Sequence, residues 1–244
     1  MKAIQNWFCT PLGCSLVEAE CRLLSQRMAC LYARHVLQVG AFARGQRPAL
    51  FRGARQWVLD DWPEAPVDVA ASPVELPLHN ETMDIVILIH QLEFSDYPHQ
   101  ILREAERVLS PEGHMLVLGF NPVSVWGLRY LFASRRRGGP PSNGRYRSQA
   151  RIEDWMRLLG LEIERKDRLH FSPPLNNRGL FGRLRRREEV APSFLRWVGG
   201  VHLTIGQKRV GGRIPAQPVR RPRLAVIPGA LGQPSSRSRV NGTC

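Results

Sequence analysis

Gly40, the acid pair Asp60 and Asp61, and the His90/Glu93 pair are the residues whose types and spacing invite chemistry. The stretch HVLQVGAFARG, residues 35–45, reads as a short apolar strand running into a turn that opens at Gly40. Cofactor-binding α/β proteins usually carry several glycines in that turn, because glycine takes positive φ and lets a bound group approach the backbone. Here Phe42 and Arg44 stand where further glycines are expected. Asp60 and Asp61 end the next apolar run, and Ser72 ends the one after it. His90 offers an imidazole that ordinarily titrates near neutrality, which suits a general base. It also suits packing or hydrogen bonding at a strand end.

These residues need a frame that sets them side by side. LGCSLVEAECRLLSQRMACLYAR, residues 12–34, predicts a helix, with Leu16, Val17, Leu23, Leu24, Met28 and Leu31 at helical spacing. HVLQVG, RQWVLDD and the short PVDVAAS predict three strands. MDIVILIH holds five consecutive apolar residues, Ile85 to Ile89, as a central parallel strand covered on both faces would. PHQILREAERVLSPEG predicts an amphipathic helix stopped by SPEG, and HMLVLGF another buried strand. RIEDWMRLLG predicts a helix capped by Gly160, LEIERKDRLHF a strand, and VHLTIGQKR the last strand. Strands alternating with helices predict an α/β doubly wound, mostly parallel seven-stranded sheet over residues 1–213. Residues 214–244 carry Pro, Arg, Gly and Ser without periodicity and read as a disordered basic tail. Such sheets bind ligands at the carboxyl ends of their strands. The loops after Gly40, Asp60, Ser72, His90 and Phe120 are therefore the ones that matter.

Charge divides the chain. Residues 1–125 are net −4 and residues 126–244 net +18, for a total of +14, and nearly all the positive groups are arginines. A basic half fits a nucleic-acid partner, and it equally fits a solvated Arg-rich surface. The runs SRRRGGPPSNGRYR (134–147) and FGRLRRREE (181–189), with Trp126, Tyr130, Tyr146 and Trp197 near them, are the candidates for RNA or an acidic substrate. Four of the five cysteines fall between Cys9 and Cys30, without a C-x-x-C pair or a histidine at ligand spacing. Buried or half-buried free thiols are expected rather than a metal site. No apolar run reaches the length of a membrane helix, and a cytoplasmic location is the expectation.

Over residues 75–120, ELPLHNETMDIVILIHQLEFSDYPHQILREAERVLSPEGHMLVLGF, the chain resembles class I S-adenosylmethionine-dependent methyltransferases. The Leu-Pro pair, the Asp-started apolar strand, the LREAERVLSPEG helix and the strand ending in Gly-Phe carry that resemblance. It implies a Rossmann-like fold and S-adenosylmethionine as cofactor. The family's acidic residue and glycines fall at Gln38, Gly40, Phe42 and Arg44, so only one glycine is in register. The resemblance further implies cofactor contacts from Gln38, Gly40 and Ala41. Asp60 or Asp61 would bind the ribose, Ser72 the adenine amino group, and Ile89 would lie beside the cofactor. His90 and Glu93 would face the reaction centre, with His90 as base for an acceptor that must lose a proton.

The expected activity is methyl transfer to a small-molecule acceptor. The sulfonium is already activated, so the protein's part is largely in-line positioning. Phe42 and Arg44 motivate a rival, a catalytically inactive methyltransferase-like protein. The Arg-rich half motivates another, an RNA-binding or RNA-modifying protein.

Overall fold

The computed structural model describes residues 7–40, 53–61, 67–124, 144–169 and 199–209. Helix α1 (Pro11–Met28) starts where the Thr10 hydroxyl accepts the Gly13 N–H at 3.1 Å and Pro11 needs no donor partner. It ends well short of the expected 34. Asp84 fixes the entry to the next element: one carboxylate oxygen accepts the backbone N–H groups of Arg34 and His35 at 2.7 and 2.9 Å, where strand β1 (His35–Val39) begins.

Six further strands follow: β2 (Arg55–Asp60), β3 (Val69–Ala70), β4 (Met83–Ile89), β5 (Leu109–Phe120), β6 (Leu161–Leu169) and β7 (Val201–Lys208). They form one sheet in the order β3-β2-β1-β4-β5-β7-β6. β1 to β5 pair in parallel, whereas β7 runs antiparallel to both β5 and β6. The sheet is therefore mixed, with β7 the one reversed strand. Short helix α2 (Gln91–Phe94) follows β4, α3 (Pro98–Val108) leads into β5, and α4 (Gln149–Leu158) leads into β6.

Both faces of the sheet are covered. Ile85, Ile87 and Ile89 of β4 face α1, packing with Leu16, Leu24, Met28 and Phe120. Val86 and Leu88 face the other way, toward Ile101, Leu102 and Ala105 of α3 and Ile152 and Met156 of α4. The run of branched residues in β4 thus has two dry sides, which parallel pairing with covering helices demands. The far end of α1 is tied to β6 by a bidentate pair, with Arg27 Nε and NH2 each donating at 2.7 Å to Asp167.

The Leu-Pro motif also has a physical role. The Arg107 guanidinium of α3 donates to the carbonyls of Leu76 and Leu78 and to Asn80 Oδ1, while Glu104 accepts the Leu76 N–H. The loop before β4 is thereby sewn to the helix after it. α3 stops at Val108, and SPEG lies within β5, where Glu112 turns with φ 61°. Gly160, at φ 82°, follows α4 as expected.

Cys14 and Cys21 are half-buried, but Cys9 and Cys30 are exposed, so the expectation of covered thiols fails at two positions. Among the described residues no cluster of His, Cys, Asp or Glu is suited to a metal, and no helix is long and apolar enough to cross a membrane. Ala41, Phe42, Arg44, Trp126, Tyr130, Trp197, residues 134–143, the 181–189 run and the 214–244 tail lie outside the described residues.

Candidate functional site

The register places Gly40, Asp60 and Ile89 at one level of the sheet. Val39 of β1 pairs with Leu59 on one side and Leu88 on the other, so the next residue on each strand shares a row. The Gly40 N–H donates to Leu59 O at 2.8 Å. Gly40 has φ 95°, and a Cβ there would meet Ile89 O at 2.7 Å and Gln91 Nε2 at 2.4 Å. Only glycine fits this turn, and the Gln91 side chain reaches over it. The Gln38 amide fastens the same turn: its Nε2 donates to Gly40 O at 2.9 Å and its Oε1 accepts from Gln56 at 3.1 Å. The residue in the acidic place is thus held by protein partners at both ends of its amide.

The structure separates the acid pair. Asp60 is fully buried at the end of β2, between Gly40 and Ala70, while Asp61 is exposed. Ser72 is exposed, its hydroxyl placed 3.4 Å from Val74 N within its own turn.

His90 sits at the end of β4 with φ 49°, and its backbone N–H donates to Leu118 O. Its ring turns toward α1. Nε2 lies 2.9 Å from Glu20 Oε1, and Nδ1 lies 3.9 Å from Glu93 Oε1. The side chains of His90, Glu20 and Glu93 are all but wholly buried. The ring stacks on Phe120 at 4.1 Å, with Phe8 at 5.8 Å. Burial disfavours the charged ring, but the two carboxylates outweigh it and raise the His90 pKa to about 9. The pairing favours the protonated ring, the form that has no lone pair with which to take a proton.

Glu93 joins several elements. Its Oε1 accepts the Phe120 N–H at 2.7 Å, and its backbone carbonyl accepts the Arg145 N–H at 2.7 Å. A Cβ on Gly119 would meet Glu93 Oε1 at 2.6 Å and the His202 ring at 2.8 Å. This close approach is why the strand ends in Gly-Phe. His202, fully buried on β7, donates from Nε2 to Arg147 O at 3.2 Å, and burial holds its pKa below the ordinary value. Glu20, Gln91 and His202 were not candidates from sequence. Glu20 had one signal: it stands on the apolar stripe Leu16, Leu24, Met28 at four-residue spacing.

Residues 48–117 match the family model described as a methyltransferase domain. Over 108 residues the chain is 40% identical to the uncharacterized protein YafS of Escherichia coli strain K12; the match covers 44% of this chain and 45% of that relative, so the chain spans about half the length of the curated relative it matches. Solved structures share the fold. The Haloferax volcanii protein in complex with the Trm112 methyltransferase activator has a TM-score of 0.55 at 17% identity, over 77% of this chain and 88% of that one. A S-adenosylmethionine-dependent methyltransferase from Archaeoglobus fulgidus has 0.51 at 14%, over 77% and 94%. The [4+2]-cyclase SpnF has 0.54 at 18%, over 79% and 80%. Residues 48–117 thus match a methyltransferase domain, and the fold is one that S-adenosylmethionine-dependent methyltransferases share.

Proposed function

We propose that this protein transfers a methyl group from S-adenosylmethionine to a small-molecule acceptor. The observation that supports the reading best is the row formed by Gly40, Asp60 and Ile89. A positive-φ glycine stands beside a carboxylate at the carboxyl ends of adjacent parallel strands. The backbone at Gly40 would receive the cofactor, and Asp60, rather than the exposed Asp61, would accept from its ribose hydroxyls. Gln38 acts by holding the turn. Ser72 keeps its proposed place near the adenine through its position after β3. The bound cofactor supplies an electrophilic methyl group, and the chain's own contribution is orientation of the acceptor. His90 and Glu93 act from beneath that surface as positioning residues.

Titration calorimetry with the whole chain tests this. Saturable binding of S-adenosylmethionine, competed by its demethylated product S-adenosylhomocysteine, is expected. No heat at millimolar ligand overturns it.

A second reading, a methyltransferase-like protein that does not use the cofactor, draws on the Gln91 amide lying over Gly40 and on the complete burial of Asp60. SpnF, described as a cyclase, illustrates that this fold hosts more than one activity. Replacing Gln91 by alanine separates the readings. Affinity that appears only in Q91A favours the inactive form.

A further inference from the structure

Six elements and segments converge on a buried polar cluster around His90. Glu20 comes from α1, Glu93 from α2 and His202 from β7; β5 contributes the Phe120 N–H and its ring, and β4 contributes His90 itself. Arg147 completes the set from the 144–148 segment. That segment is fastened here three times: Arg145 N–H to Glu93 O, Arg147 O to His202 Nε2, and Gly144 against the Phe94 ring. Helix α1 approaches from its own side and touches the cluster through Glu20, with Trp7 and Phe8 just before it packed on Phe120 and His90. Helix α1 therefore rests on the His90 ring directly, and the 144–148 segment on Glu93 beside that ring, on His202, and through Tyr146 on Phe120, which stacks on it.

The charges explain why the arrangement holds. Two buried carboxylates 2.9 and 3.9 Å from a neutral ring would lie uncompensated in a dry site, which costs more than an exposed pair would. A protonated ring answers both. The remaining positive group facing Glu93 is Arg147, whose own pKa is lowered by burial and by Arg151 and Arg145 and is supported by Glu93. His202 is held neutral by burial. The cluster is also incompletely bonded: Glu20 Oε2, Glu93 Oε2, His90 Nδ1 and His202 Nδ1 are buried without a hydrogen-bond partner. Orphans of this kind are expensive in a static core and are characteristic of a site poised to rearrange or take up water.

We propose that the His90 imidazolium, gripped by Glu20 and Glu93, is a latch that holds helix α1 and the 144–148 segment together over the carboxyl end of β4, so that both covers loosen as one when the ring loses its proton. The direction follows from linkage. His90 binds its proton more tightly folded than unfolded, so the latch is closed at neutral pH and opens as pH rises through about 9. His202, the other imidazole facing this cluster, does not reverse this sign, because burial holds its pKa below the ordinary value. The inference does not depend on methyl transfer.

Hydrogen exchange on the whole chain, normalised for the intrinsic pH dependence of exchange, reads both covers at once. Protection of residues 13–20 and of 144–148 is expected to fall together between pH 8 and pH 10, while α3 stays protected. In E20Q both should already be loose at pH 7. Protection that is unchanged to pH 10, or lost in only one cover, overturns the proposal. Should E20Q fail to fold, a direct titration of the His90 ring in the wild-type chain by NMR decides: a midpoint well above that of a free histidine supports the latch, and one at or below it overturns the latch.

Discussion

Gln91 Nε2 lies in clashing distance of the place a Cβ on Gly40 would take. The turn is thus closed twice over, by a φ of 95° that L side chains rarely adopt and by the Ile89 backbone carbonyl, 2.7 Å from where a Cβ would sit. Gly40→Ala is expected to lower the thermal midpoint and to abolish cofactor binding by displacing the turn. The combination G40A/Q91A removes the side-chain clash but leaves the strain and the 2.7 Å approach to Ile89 O, so it should recover only part of the lost stability. Differential scanning calorimetry of the two variants checks this. Full recovery in the double variant would show that backbone strain is unimportant there.

The acid pair separates by burial. Asp60 shares a row with Gly40 and is wholly covered, whereas Asp61 points into solvent. Asp60→Asn is expected to weaken S-adenosylmethionine binding by roughly 10- to 100-fold, the loss of one or two charge-assisted hydrogen bonds. Asp61→Asn should leave affinity unchanged. Calorimetry on both variants decides, and a larger effect at Asp61 would move the ribose contact one residue along.

Much of the frame was legible, and the reasons differ from element to element. The apolar run Ile85–Ile89 announced a strand covered on both sides because nothing but a two-faced core needs five such residues in succession. The Leu-Pro and LREAERVL motifs announced each other because Arg107 and Glu104 physically join them. The apolar spacing through Leu31 predicts a longer helix than forms, and the contact that fixes residues 34 and 35 at the start of β1 is not local: Asp84 sits about fifty residues later in sequence and is adjacent only through the β1–β4 pairing. The same cause hid Glu20 and His202. A carboxylate at the four-residue spacing of Leu16, Leu24 and Met28 was visible, but its partner, His90, is 70 residues away. The antiparallel course of β7 has no signature in VHLTIGQKR, which would read alike in either direction.

Arg107 supports the loop before β4 with three donations outside its own helix, to two carbonyls and one side-chain oxygen. Arg107→Ala leaves those acceptors to water and frees Glu104. The side chain is partly exposed, so the cost is expected to be about 1–3 kcal/mol rather than that of a buried ion. Chemical denaturation measures it. Arg107→Lys should restore little, because an ammonium cannot span the carbonyls of Leu76 and Leu78 while also pairing with Glu104. A fully stable lysine variant would show that charge alone suffices.

His202 sets the acid side of the stability profile. Burial is the main cause of its lowered pKa; Glu93 and the Arg147 carbonyl act in the opposite direction without overcoming it. The folded chain therefore resists a proton that the unfolded chain accepts near pH 6.5. By linkage the unfolded state binds more protons below that value, so this stabilising contribution is fully present above it and is lost as pH falls toward the folded pKa. His202→Gln keeps a side-chain donor for the Arg147 carbonyl at 3.2 Å and removes the titration. The wild-type thermal midpoint should decline between pH 6.5 and pH 5, before carboxylate protonation dominates, and the decline should be shallower in H202Q. Thermal scans over that range compare the two chains directly. Parallel slopes would mean that His202 takes up its proton without disturbing Glu93, and that the cluster around His90 tolerates a second positive ring.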